Sequence, residues 1–518
     1  MKAFNVLLSV IVSVLLFVLA LEGGLRLLGM GPKDTINQFD SKLGWVKTPE
    51  AVGEYDTSEF DVTFSISEQG LRDDLVLEEA YAGTWRGMAL GDSFVLGYTV
   101  NRDNLFVDIL EQSVREASDA NEMINAGTEG WSTDQEVMWF LEHGRAFKPD
   151  VVLLFPYEND LYWNGEEQYG RFPKPRFGLE GEIEREHLVD PGEKAWFERY
   201  AIGLPLRPFL AKRPEGARTW SPDGTQTLAG SRLEWAAYFH NAPDFMQEAI
   251  DRTKAAMAAL KGACNEIGAE LVVVPIPHKS AVHPEALEAM RKVLHAPANT
   301  WSPDQPVETF LALAAELEIR ALDARPALKK SAETLGELYY QRDWHFNPAG
   351  NRAFAKFLQE SLAGTLPDGA GTVALAGSAE PESGGLPTWA FVFAGLWVLL
   401  GTGYGLSYKD ENKALAFLKV GLLLAAIFAI VLGGGMLLGS VSPAVSRILG
   451  ILFVLGILGF VLFKLGRRTG TVVELFSAFV KRGHWYLMPL VVVLLTVGSL
   501  LVVAASSPLV APFIYTLF

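Results

Sequence analysis

The chain of 518 residues holds one cysteine, Cys264. No disulfide can close within it, and no cysteine cluster can bind a metal ion. Cys264 falls in a helical pattern, where a buried, inert thiol is expected. Histidine is scarce too, with eight in the chain, so each one beside a carboxylate draws notice. Positive charge is short: 44 Lys and Arg face 61 Asp and Glu, a net charge of −17. That balance argues against nucleic acid as a partner and against adhesion to anionic lipid. No glycine-rich phosphate loop is present. His278 and His283, five apart in "PHKSAVHPEA", read as loop residues, so neither a metal nor a cofactor is expected.

What the chain does have is long apolar runs, and they are confined to its ends. Residues 4–28 are almost wholly apolar, and further runs lie near 386–406, 414–438, 448–465 and 485–505. A helix crossing a bilayer needs about 20 such residues. The sequence therefore predicts an N-terminal anchor at 1–29 and a C-terminal membrane region at 386–518 with about four spans. The first run is longer than the apolar core of a signal peptide, which favours an uncleaved anchor. Residues 1–29 carry a net +1 and 386–518 a net +6, leaving −24 for residues 30–385. Lys and Arg concentrate in the loops after the second and fourth spans, which places those loops in the cytoplasm. Traced back from there, the acidic middle of the chain faces outward, away from the cytoplasm.

The middle divides further. Residues 30–82 form a lead-in in which Phe60, Val62, Phe64 and Ile66 alternate with polar residues, the pattern of a half-buried strand. From residue 83 short apolar strands alternate with amphipathic helices as far as 364. Strands that read as continuous apolar runs between helices imply a parallel sheet covered on both faces, an α/β doubly wound domain. The rhythm breaks over 161–244, a stretch rich in Pro, Gly and aromatics, expected to be an insertion or lid beside the site. Residues 365–385, rich in Gly, Ala, Ser and Pro, read as a flexible linker.

In a doubly wound sheet, ligands bind beyond the carboxyl ends of the strands. Four such ends carry candidate chemistry. The strand "MAL" stops on Gly91–Asp92–Ser93, where Ser93 fits either a helix cap or a nucleophile. In "NAGTEGWSTD", Gly130 precedes a helix and could offer a backbone N–H to an anion. In "YENDLYWN", Asn159 follows an apolar strand, as a cap or as an amide donor. In "QRDWHFNPAGNRAFA", Asp343 and His345 stand one residue apart before the last helix.

Taken in order, these blocks resemble the GDSL or SGNH hydrolases, a superfamily of serine esterases and acyl transferases with a flavodoxin-like sheet. "GDSF" looks like their nucleophile block, Gly130 like their second-block glycine, Asn159 like their third-block asparagine, and Asp343-Trp344-His345 like their last block. The chain departs from the pattern at Tyr157, where the family has glycine, and in the single residue between Asp343 and His345. The resemblance implies a catalytic triad of Ser93, His345 and Asp343, with an oxyanion hole from Ser93, Gly130 and Asn159. The implied activity is esterase or deacetylase action on an acylated glycan or lipid outside the cytoplasmic membrane. An O-acyltransferase working on an exported polysaccharide uses the same residues, and a non-catalytic carbohydrate-binding or assembly module is the third reading. The last 50 or so residues resemble a small bacterial membrane-protein family of unknown function, which implies a partner protein in the membrane.

Overall fold

The computed structural model describes residues 36–373, apart from 58, 79, 82, 186, 193–198, 201–217, 223–226 and 295, together with 18, 22 and scattered positions between 393 and 425. Among the described residues no helix is long and apolar enough to cross a membrane. The first, fourth and fifth expected spans lie almost entirely outside the described residues, and so do about two thirds of the second and third. The chain divides into two compact units, and residues 33–193 and 212–378 make up the one that holds every candidate site residue.

The lead-in forms two antiparallel hairpins. In the first, β1 (Asn37–Asp40) pairs with β2 (Gly44–Lys47); in the second, β3 (Val52–Asp56) pairs with β4 (Asp61–Ser65). The expected alternation holds in β4, where Val62 and Phe64 turn inward with Phe60 and Ile66, next to Tyr55.

The α/β unit follows: β5 (Arg86–Gly91), α1 (Ser93–Leu96), α2 (Phe106–Ala117), β6 (Glu122–Asn125), α3 (Thr133–Glu142), β7 (Val151–Phe155) and α4 (Asp160–Trp163). Two small ladders, β8 (Gln168–Tyr169) with β9 (Phe172–Pro173) and β10 (Thr219–Trp220) with β11 (Leu228–Ala229), occupy the expected insertion. Then come α5 (Asp244–Ile267), β12 (Glu270–Val273), α6 (Lys279–Val282), α7 (Pro284–Leu294), α8 (Gln305–Glu316), β13 (Arg320–Ala321), α9 (Arg325–Leu335) and α10 (Pro348–Ser361).

Five strands join in one parallel sheet in the order β13-β12-β7-β5-β6. This is the doubly wound order with its switch point between β5 and β7, where such folds place their sites. Every residue of β5 and β7 is buried. Alternate residues feed two cores. Met88, Leu90, Val152, Leu154 and Val273 pack beneath α3, α5 and α8 through Val137, Phe140, Met257, Leu260 and Phe310. Ala89, Val151, Leu153, Phe155 and Val272 pack beneath α2, α9 and α10 through Phe106, Leu110, Leu328, Phe354 and Leu358. Each buried side chain of this size contributes roughly 1.5–3 kcal/mol, so the sheet is a stiff platform for whatever stands at its carboxyl edge.

Candidate active site

The strand β5 ends because α1 folds straight back on it. A Cβ on Gly91 would lie 2.3 Å from Val95 Cγ2, so no larger residue fits the turn. Asp92, not Ser93, caps the helix: its Oδ1 accepts the Phe94 N–H at 2.9 Å. Ser93 is thereby released from the capping role. Its side chain is half-exposed in a run of otherwise buried residues from Gly91 to Gly97, and Oγ lies 2.7 Å from His345 Nε2.

His345 comes from the loop before α10, 252 residues later in the chain. Its Nδ1 meets Asp343 Oδ1 at 2.6 Å, and the same oxygen accepts the His345 backbone N–H at 3.0 Å. One carboxylate oxygen therefore fixes both the ring and the backbone that carries it. The ring packs against Phe94 at 4.5 Å and Tyr98 at 5.6 Å between centroids. Burial pulls the His345 pKa down, but the Asp343 charge and hydrogen bond, with Asp92 behind them, outweigh it and raise the pKa above the ordinary histidine value. Burial pushes Asp343 up, and its contact with His345 more than reverses this, leaving it lowered. The ordered chain Ser–His–Asp is the arrangement in which a base can take the serine proton and a carboxylate can hold the base in the right tautomer.

Gly130 lies in the loop between β6 and α3 with φ +73°, and a Cβ there would come within 2.9 Å of the Tyr169 ring from the insertion. Thr128 of the same loop donates its N–H to the Gly91 carbonyl at 3.1 Å, which ties the loop to the Ser93 turn. Asn159 stands at the start of α4, beyond the end of β7, yet its side chain makes no capping bond. Its Oδ1 is buried without a hydrogen-bond partner. Tyr157, at the position where glycine is usual in the resembled family, is buried with its ring 4.8 Å from Phe94. It packs under the residue that follows Ser93.

Beside Asp92 lies a cluster absent from the sequence reading. Asp134, Glu136 and Asp160 are at most 1 % exposed, and Lys174, equally buried, pairs with Asp134 and donates to the Trp163 carbonyl at 2.7 Å. Thr133 Oγ1 donates to Asp160 at 3.0 Å. Glu136 has neither oxygen satisfied, and burial, followed by the charges of Asp160 and Asp92, raises its pKa well above the carboxylate range. Burial raises Asp92 to about 6, opposed by the Phe94 N–H and by His345. Each of these acids sits in a helical or turn segment whose polarity reads as a solvated face, so only the folded chain shows them turned inward.

The two other candidate histidines serve the scaffold. His278 Nδ1 accepts the Ser280 N–H at the start of α6, and His283 Nε2 accepts the Leu338 N–H at 3.2 Å. Among the described residues no group of His, Cys, Asp and Glu could hold a metal ion.

Residues 236–388 match the family described as the SGNH hydrolase-like domain of acetyltransferase AlgX. The chain is an SGNH-type esterase or acyltransferase. The matched stretch contains Asp343 and His345 and begins well after Ser93. A second match, over residues 469–518, is to a family of unknown function, DUF5989. Among curated proteins, none matches. Solved structures similar to the chain include an acetyl xylan esterase, AlAXEase, at 11% identity and a TM-score of 0.30, covering 54% of this chain and 99% of that one. Axe2, an acetyl-xylooligosaccharide esterase from Geobacillus, follows at 14% identity and a TM-score of 0.31, covering 55% and 95%. TesA is similar at 11% identity and a TM-score of 0.29, covering 54% and 98%. Likenesses at this level carry no information on activity or substrate.

Proposed function

We propose that the SGNH-type domain cleaves an ester-linked acyl group from a glycan or lipid, with Ser93 as nucleophile. The observation that carries this is the continuous chain from Ser93 Oγ through His345 to the buried Asp343 carboxylate, with links of 2.7 and 2.6 Å. His345 Nε2 takes the serine proton as Oγ attacks the ester carbonyl, and gives it to the departing alcohol oxygen. Asp343 stabilises the imidazolium. The oxyanion is received by the N–H groups of Ser93 and Gly130 and the side-chain amide of Asn159, whose lack of a capping bond leaves it available. A second acceptor then attacks the acyl-enzyme. Water gives an esterase. A sugar hydroxyl gives an O-acyltransferase, a reading favoured by the match to the AlgX acetyltransferase type over 236–388.

In this reading the domain is tethered to the bacterial inner membrane by the apolar runs at both ends of the chain and works in the periplasm, its insertion forming a wall of the substrate cleft. The support is the length of those runs and the distribution of Lys and Arg around them. The C-terminal spans then serve as an anchor and a docking surface for a membrane partner. The test uses the full chain in detergent, assayed on 4-nitrophenyl acetate and on acetylated oligosaccharides, with and without an unacetylated sugar. Ser93→Ala should abolish release of acetate. Unchanged release in Ser93→Ala refutes the catalytic reading and leaves the domain a binding module. Turnover that requires the sugar acceptor identifies transfer. A periplasm-dependent reporter fused after Gly385 should be active, and silence there reverses the orientation.

A further inference from the structure

The loop that carries Asp343 and His345 lies at the surface, with Gln341, Arg342 and Trp344 exposed. Contacts at its flanks hold its ends: Thr99 Oγ1 donates to the Phe346 carbonyl at 3.1 Å and Lys279 Nζ to the Tyr340 carbonyl at 2.9 Å. Tyr339 bridges Phe346, and the Tyr340 N–H donates to the His345 carbonyl at 3.1 Å. A catalytic pair needs placement within a fraction of an ångström, which calls for a further support. The support comes from the lead-in, 283 residues earlier.

Glu59 stands at the turn between β3 and β4. Its carboxylate accepts the Arg342 N–H at 2.9 and 3.0 Å and the Asp343 N–H at 2.9 Å. Two consecutive backbone amides thus close on one anion. This sets the backbone at Asp343 and with it the direction of the Asp343 carboxylate. Glu59 is itself held. Thr57 Oγ1 accepts the Glu59 N–H at 3.1 Å and the Phe60 N–H at 3.0 Å, and the Phe60 ring packs on Tyr340 at 5.2 Å.

The same segment grips the other half of the site. The buried Arg72 guanidinium donates to the carbonyls of Leu96, Gly97 and Val100, at 2.7, 2.5 and 2.9 Å. These are the end of α1 and the turn after it. Asp73 accepts the Asn125 N–H at the end of β6 at 2.9 Å. Phe64 lies beneath Arg72, its ring centre 4.4 Å from the guanidinium carbon. One short hairpin and its tail therefore touch the nucleophile turn and the acid–base loop together.

We propose that Glu59 is a positioning residue for catalysis: the lead-in hairpin is a clamp that seats the Asp343–His345 loop against the Ser93 turn. The proposal rests on the triad reading above. It goes beyond that reading in making residues 36–76 part of the catalytic device rather than a connection leading to it.

The test uses the full chain with Glu59→Ala and Glu59→Gln, hydrolysis of 4-nitrophenyl acetate across pH, and labelling of Ser93 by a fluorophosphonate probe. Glu59→Ala should lower kcat about 10- to 100-fold, the scale of an ångström's misplacement, with KM within about twofold. The charged groups facing His345 are Asp343 on its own loop and Asp92 on the nucleophile turn. Loosening Asp343 lowers the His345 pKa, so the acid limb of kcat/KM should move to lower pH. Glu59→Gln should restore part of the rate, because a single oxygen in the place of Oε2 accepts both N–H groups while the contact that Oε1 makes with the Arg342 N–H is lost. Wild-type kcat and pH profile in Glu59→Ala overturn the proposal, and so does a loss of which Gln restores nothing. A wild-type chain that neither hydrolyses the ester nor labels at Ser93 overturns the triad reading, and the clamp with it.

Discussion

Asp343→Asn separates two roles of the carboxylate, orientation and charge. In the folded chain, one oxygen receives both the His345 backbone N–H at 3.0 Å and the ring Nδ1 at 2.6 Å. The backbone group can only donate. A carboxamide must therefore turn its oxygen to this point, since its NH2 would face the backbone donor. With oxygen there, Nδ1 keeps its proton and Nε2 remains free to accept from Ser93. The charge is lost, together with the acceptor that the second oxygen offers. A hydrogen bond to a charged partner contributes about 1.5–3 kcal/mol and a neutral one about 0.5–1.5. The difference, about 1–2 kcal/mol, corresponds to roughly 5- to 30-fold in kcat at about 1.4 kcal/mol per factor of ten. Where the analogous replacement traps the wrong tautomer, the loss is about 10⁴-fold. Steady-state hydrolysis of 4-nitrophenyl acetate measured against pH tells the two apart. The reaction needs neutral imidazole, so activity is present above the His345 pKa and is lost as pH falls through it. Asp343 holds that pKa up, so the acid limb should move to lower pH in the variant. A 10⁴-fold loss with an unmoved acid limb refutes the shared-oxygen reasoning.

Other expectations are as direct. Lys174→Met leaves Asp134 buried without its cation and should cost about 3–5 kcal/mol in urea unfolding. Adding Asp134→Asn should recover most of this, and a cost below about 1 kcal/mol for the single variant contradicts the buried pairing. Asn159→Ala should reduce kcat about 10²- to 10³-fold, as loss of one oxyanion donor does elsewhere, with the urea midpoint little changed because no cap is removed. An unaffected kcat takes Asn159 out of the oxyanion hole. Burial pushes the Cys264 thiol up to about 12, so a disulfide-exchange reagent should react with it only after denaturation; rapid reaction of the native chain would show that the thiol is accessible.

The sheet was readable because β5 and β7 are buried on both faces and spell continuous apolar runs, and because Gly91 breaks one of them at the only turn α1 allows. Ser93, Asp343 and His345 were readable because each stands at a strand or loop end in a local pattern. Two helices escaped notice. Both carry an apolar stripe at helical spacing, Leu287, Met290 and Leu294 in α7 and Leu328, Ala332 and Leu335 in α9, and a count of i, i+3, i+4 and i+7 positions marks them. Glu59 offers no such pattern. It acts on backbone amides, which leave no trace in residue identity, and its place at the tip of an alternating strand reads as ordinary solvent-facing polarity. Arg72, Lys174 and Glu136 are charged residues at buried positions, which a pattern of apolar and polar residues assigns to the surface.

The distance in sequence between Ser93 and His345 has a consequence for how the enzyme comes into being. Synthesis runs from the N-terminus, so Ser93 leaves the ribosome 252 residues ahead of His345. Until α10 and its preceding loop dock, Ser93 is an ordinary alcohol at the end of a strand. On the proposed mechanism the nascent chain therefore carries no activated serine, and reactivity arises only as the domain closes.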